Sequence, residues 1–174
     1  IYADMGRRTP RDWIVSRGEY LSARLMADLL GFDFVDAKDW LLFDAAGRVR
    51  PAASYAALGS LADGRKIVTP GLYGALPDGQ IHTLPRGGSD VTGALAAAAL
   101  HADLYENWTD VPGVLAADPA LVQRPAQVEQ LRYEELQTLS RIGMQVLHEV
   151  AVAPVQRAQI PLRICSTLEP ETPG

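Results

Sequence analysis

Helical stretches alternate with short strand-like runs along most of this chain, and that alternation limits the fold more than any single motif does. Leu21, Leu25, Met26, Leu29 and Leu30 recur at the spacing of one helix face, and Gly31 follows at once as a stop. The spacing predicts a helix from Glu19 with this stripe buried, preceded by a polar loop that reaches Asp12. Phe32, Phe34 and Val35 form a short strand, and the irregular connection over 44–65 carries one short helix, Ser54 to Leu61. Lys66 to Thr69 is a β-branched run stopped by Pro70-Gly71; Gln80 to Leu84 alternates and is set to pair with a neighbour across Asp78-Gly79. Ser89 to Ala102 is an alanine-rich helix former, followed by a strand over Leu104 to Trp108. Tyr133 to Ile142 reads as a helix with Leu136 and Leu139 inward and Gly143 closing it. A last helix over Glu149 to Ala158 precedes a strand over Ile160 to Ile164. Without repeats or an internal domain boundary, this order predicts an α/β sheet with helices on its faces.

Composition then removes whole function classes. The 174 residues can bury a sizeable core as one domain. Sixteen Lys plus Arg against 21 Asp plus Glu leave a net charge of −5, with a pI near 5.1. Such an acidic surface repels phosphate backbones, so binding nucleic acid by general electrostatics is not expected. No apolar run approaches the roughly 20 residues that cross a bilayer, and no secretion signal opens the sequence. The expectation is a cytoplasmic protein without a membrane partner. Cys165 is alone, which excludes an internal disulfide, and Asn107-Trp108-Thr109 is read as a chance glycosylation sequon. His82, His101 and His148 lack metal-ligand spacing, and no metal site is expected. Gly59 to Lys66 approaches a phosphate-binding loop, but its lysine is displaced, no Ser or Thr follows, and a strand comes next. No Gly-x-Ser-x-Gly elbow supports a hydrolase.

Three local constellations carry chemistry. In Arg86-Gly87-Gly88-Ser89-Asp90 the two glycines let backbone pass close to a ligand. The helix beginning at Ser89 offers free N–H groups and the positive end of its dipole, and the planar Arg86 fork suits a carboxylate or a phosphate. A plain Gly-Gly turn with Ser89 as N-cap explains the same residues about as well. Thr109 and Asp110 lie just past the carboxyl end of a strand, the rim where open α/β sheets bind ligands; an Asx turn before Pro112-Gly113 is the bland equivalent. Glu19, after Gly18, sits where a carboxylate stabilises a helix start, or where it could hold an amino group.

Taken together, these segments resemble the catalytic domain of the aspartate kinases, in the amino-acid kinase superfamily. The stretches that carry the resemblance run from Ser16-Arg17-Gly18-Glu19 through Thr69-Pro70-Gly71-Leu72-Tyr73-Gly74 and Arg86-Gly87-Gly88-Ser89-Asp90. They continue with Thr109-Asp110-Val111-Pro112-Gly113-Val114, Asp118-Pro119, Leu131 to Glu135, Gly143 to His148 and Ile160-Pro161-Leu162. The resemblance implies a mainly parallel sheet between helical layers, with residues 1–174 the C-terminal larger part of one catalytic domain and no second domain. It implies transfer of the γ-phosphoryl group of Mg-ATP to the side-chain carboxylate of L-aspartate, the first step towards lysine, threonine and methionine. Asp90 would organise catalysis. Glu19, Arg86, Gly87, Gly88 and Ser89 would bind aspartate, Glu19 by its amino group and Arg86 with Ser89 by its carboxylate. Thr109, Asp110, Leu115, Asp118 and Gln145 would face the nucleotide. Arg86 and Glu19 are therefore expected to converge on one pocket. Partners are L-aspartate and ATP, with Mg²⁺ and a possible homodimer.

The sequence also departs from the family pattern. The family's Lys-Phe-Gly-Gly opening has no counterpart in residues 1–174, so these residues alone are expected not to turn over aspartate. Leu115 stands where an aromatic is usual, Ala120 where an Arg is common, Gln145 for Lys and Glu149 for Pro, and the family's regulatory domains are not in the sequence. The alternative is a degenerate homologue that binds aspartate or forms oligomers without turnover.

Overall fold

The computed structural model describes residues 9–110, 113–117, 122, 123, 125–141 and 149–172. The first helix, α1 (Arg11–Leu30), starts well before the predicted Glu19: Pro10 fixes the entry and Asp12 supplies a first-turn acid. Gly31 ends it in the left-handed conformation, as expected from the sequence. Its buried face differs from the prediction. Ser16, Ala23 and Ala27 pack inward, and the small residues bring α1 close to β1 (Asp33–Phe34) and β2 (Ile67–Val68). Leu21, Leu25, Met26, Leu29 and Leu30 all lie on the exposed side, Leu29 at 74%. Periodicity located the apolar stripe correctly, but it cannot say which face of a helix meets this chain's own core.

Among the described residues, two of the three strand pairs are parallel: β1 with β2, and β5 (Tyr105–Thr109) with β6 (Leu162–Ser166) in the register Thr109 to Ser166. The third, β3 (Tyr73–Ala75) with β4 (Ile81–Thr83), is an antiparallel hairpin whose turn contains Asp78 and Gly79, as the alternation there predicts. Backbone bonds from Phe43 to Ala75 and from Ala75 to Leu41 tie β3 to the 41–43 segment. The fold is thus α/β with parallel strand pairs among helices, the antiparallel hairpin being the exception to the parallel expectation.

At the centre lies α3 (Gly88–Ala99). Ala94, Ala97, Ala98 and Ala99 are buried, and their small side chains let α2 (Pro51–Ala62) and α5 (Glu149–Arg157) pack against the helix. Pro51 at the first turn starts α2 earlier than predicted. The helix α4 (Tyr133–Arg141) packs on α5, with Leu136 buried as expected. Trp40, Leu41, Phe43, Leu58, Val152 and Val155 are at most 1% exposed and form the heart of the core. The candidate positions Asp118 and Gln145, with Ala120 and Gly143, lie outside the described residues.

Candidate active site

The loop before α3 is built for close approach. Gly87 caps the helix in the left-handed conformation (φ 80°), and the helix opens at Gly88, so Ser89 sits inside the first turn and is not its N-cap. A side chain on Gly88 would meet Leu84 Cβ at 2.7 Å and Leu72 Cδ1 at 2.9 Å. On Gly71 it would meet Ser89 at 3.0 Å. The Thr69–Tyr73 loop is therefore pressed against the start of α3 with no room for a β-carbon between them. Leu72 itself holds a left-handed backbone (φ 75°), a conformation costly for a leucine. It is clamped there by Thr92 Oγ1, which accepts from the Leu72 N–H at 3.1 Å, and by the Leu84 N–H, which donates to its carbonyl at 2.7 Å. Trp40 Nε1 donates to Thr69 Oγ1 at 2.8 Å, and the Tyr73 hydroxyl donates to Asp36 Oδ1 at 2.7 Å. Burial, then the Asp36 hydrogen bond and charge, push the Tyr73 pKa up, so it remains a donor.

Arg86 and Ser89 are exposed, and among the described residues no hydrogen bond or ion pair engages the Arg86 guanidinium, the Ser89 hydroxyl or the Glu19 carboxylate. Glu19 lies about two turns inside α1, not at its start, which removes the dipole explanation for it. Its helix is fastened to the hairpin leading into Arg86, because the Thr83 N–H donates to Asp12 Oδ2 at 3.0 Å and His82 Nδ1 lies 3.4 Å from the same oxygen.

The second half of the site is the face of β5 turned toward α3. Burial alternates along the strand: Tyr105, Asn107 and Thr109 are half-buried, while Glu106 and Trp108 are exposed. Asn107 Nδ2 donates to Asp90 Oδ1 at 3.1 Å, and the Tyr105 hydroxyl donates to the Asp90 carbonyl at 3.3 Å. Burial pushes the Tyr105 pKa up, the Asn107 hydrogen bond lowers it and the Asp90 charge raises it again. Thr109 follows Asn107 on the same face, about 7 Å farther along. It closes the carboxyl end of the strand with Asp110, whose Oδ1 accepts from Thr109 Oγ1 at 3.2 Å, while Thr167 donates twice to the Thr109 carbonyl. Leu115 is half-buried and bridges to Gln127.

The structure thus sets Asp90, in the first turn of α3, against the β5 face that carries Asn107 and Thr109, and it places Arg86 through Asp90 on one turn. Sequence reasoning overlooked Asn107, Tyr105 and Leu72; counting back by two from Thr109 would have found the first two. A cavity of about 690 Å³ beside β6, lined by Leu104, Val114, Tyr133, Leu162 and Ile164 among others, contains none of the candidate residues.

This arrangement matches known proteins along nearly its whole length. The amino acid kinase family model covers residues 2–166. The lysine-sensitive aspartokinase 3 of Escherichia coli is 34% identical over 94% of this chain and 39% of its own length. Aspartokinase 3 of Bacillus subtilis is 43% identical over 62% of this chain and 24% of its own. Among solved structures, the aspartate kinase of Clostridium acetobutylicum superposes with a TM-score of 0.89 at 43% identity, covering 94% of this chain and 38% of that one. The Escherichia coli aspartokinase III solved in complex with aspartate and ADP gives 0.85 at 30%, covering 94% and 39%. The chain spans less than half the length of these relatives. A glycine-cut loop on a helix start, facing the end of a parallel strand, is here the local form of a path shared along almost the whole chain, and this chain belongs to the amino acid kinase family.

Proposed function

We propose that this chain carries the substrate-handling part of an aspartate kinase, moving the γ-phosphoryl group of ATP to the side-chain carboxylate of L-aspartate. The observation that carries the reading is the pairing of Asp90, at the start of α3, with the strand face that ends in Thr109. A carboxylate acceptor held at the α3 loop and a nucleotide at the β5 rim would meet across Asp90. Phosphoryl transfer asks for such positioning and charge stabilisation more than for covalent chemistry. Arg86 with Ser89 would grip the α-carboxylate and Glu19 the ammonium group, with Gly87 and Gly88 in the same binding loop. Thr109, Asp110, Leu115, Asp118 and Gln145 would face the nucleotide. Mg²⁺ would enter with the ATP, whose phosphates supply oxygen ligands for it. This transfer would be the first step towards lysine, threonine and methionine.

Arg86→Ala tests the substrate side. A hydrogen bond to a charged group contributes roughly 1.5–3 kcal/mol, so losing the bidentate fork should raise the KM for L-aspartate by about ten- to a hundredfold at least. The KM for ATP should stay near wild type in steady-state assays of the full-length polypeptide. An unchanged aspartate KM would remove Arg86 from the pocket. A second reading, a homologue that binds aspartate without turnover, is favoured by Ala120 and Gln145, which put no cation where the family pattern has one.

The finer assignments follow the same reading. The contiguous apolar face of α1, with Leu21, Leu25, Met26 and Leu29 exposed, is the surface a second copy would cover in a homodimer. Sedimentation of the full-length protein as a monomer at micromolar concentration would contradict that assembly. No helix of the described residues is long and apolar enough to cross a membrane. A cytoplasmic location suits an enzyme that consumes ATP, and recovery in a secreted fraction would contradict it.

A further inference from the structure

Asp90 has the freedom of any aspartate at a helix start. Its terminal torsion is broad, and the free N–H groups of the first turn of α3 compete for its oxygens. The structure restrains it from the neighbouring strand. Asn107 Nδ2 lies 3.1 Å from Asp90 Oδ1 and 3.2 Å from the Tyr105 hydroxyl oxygen, so both amide protons are used. A carboxylate only accepts, which fixes the nitrogen end of the amide toward Asp90. Tyr105 in turn donates to the Asp90 carbonyl at 3.3 Å, so one carboxylate oxygen and the backbone of the same residue are both tied to β5. The helix makes room for this contact: a β-carbon on Gly93 would sit 2.5 Å from the Tyr105 hydroxyl. Among the described residues no donor reaches Asp90 Oδ2, which is left for chemistry.

We propose that Asn107 is a positioning residue, which clamps Asp90 Oδ1 so that the second carboxylate oxygen is presented in one orientation to the reacting groups. This rests on the aspartate kinase reading and deepens it, because it assigns a function to a strand residue that touches neither substrate nor nucleotide in that reading. A displacement of about 1 Å at a reacting group can cost on the order of 10² in rate. Loss of the clamp should therefore act on kcat and leave ground-state binding, set by Arg86 and Glu19, in place.

The experiment compares Asn107→Leu, which keeps the volume and removes the donor, with Asn107→Asp, which keeps the shape and sets a second carboxylate against Asp90. Both are measured in the full-length polypeptide beside wild type and Asp90→Ala. The expected result for Asn107→Leu is a kcat about 10- to 100-fold lower. The aspartate KM and the melting temperature should stay near wild type, and Asn107→Leu should cost nothing further in the Asp90→Ala background. Asn107→Asp should fall at least as far as Asn107→Leu, and it carries the test if the leucine variant does not fold. A kcat close to wild type in both variants, or a loss that follows KM or melting temperature instead, overturns the proposal. If wild type turns over aspartate and Asp90→Ala does not, while both Asn107 variants remain active, this inference alone fails. If wild type shows no aspartate-dependent turnover, the underlying reading fails and takes the inference with it.

Discussion

Asp90→Ala in the full-length polypeptide is expected to lower kcat for aspartate phosphorylation by at least about 10²–10³-fold, the usual cost of losing one preorganised electrostatic group. The KM for L-aspartate should change little, because the substrate's fixed charges are assigned to Arg86 and Glu19 and not to Asp90. The fold should survive. The Tyr105 bond goes to the Asp90 backbone carbonyl, which alanine retains, and the lost first-turn carboxylate stabilises a helix by only about 0.3–1 kcal/mol. Steady-state kinetics with a thermal melt separate these contributions. A kcat within a few-fold of wild type would remove Asp90 from the chemistry.

Gly74→Ala should have the largest effect on stability. Gly74 is buried in β3, and a β-carbon there would lie 1.9 Å from the Leu41 carbonyl oxygen and 2.8 Å from its carbon. Neither atom can yield, since that oxygen accepts from the Ala75 N–H at 2.9 Å and the segment is locked to β3. The strands must separate, with a loss of more than about 4 kcal/mol against a total stability of roughly 5–15. Gly59→Ala is the control. Gly59 lies inside α2 with nothing within 4 Å of an added β-carbon, so alanine should stabilise by about 0.5–1 kcal/mol. Denaturant titration of both variants tests the pair, and a Gly74→Ala midpoint at the wild-type value would contradict the clash.

Local signals in the sequence were legible where the chain itself supplies the partner. The Gly31 stop, the β3–β4 hairpin around Asp78-Gly79 and the alanine-rich α3 all rest on residues within a few positions of one another. The α1 stripe exists as its spacing predicts but faces away from the described core, which periodicity does not reveal, and Gly18 before Glu19 mimics a helix boundary. Inside a helix, Gly18 simply leaves its surroundings open. At the site, Arg86 to Asp90 could be read as one contiguous motif. Asn107 could not, because its role depends on β5 lying beside α3, and Leu72 betrays its left-handed backbone only in the fold. Hydroxyl and amide contacts between elements leave no periodic mark in a sequence.

The most direct test of the account is chemical detection of the product. The full-length polypeptide, incubated with Mg-ATP and L-aspartate, would be trapped with hydroxylamine, which converts an acyl phosphate to a hydroxamate, while ADP release is followed in parallel. The account predicts ADP and aspartyl hydroxamate in equal amounts with L-aspartate, and neither with L-glutamate or UMP as the acceptor. Binding of L-aspartate with no hydroxamate, or ADP release that depends on UMP or L-glutamate in its place, would contradict it.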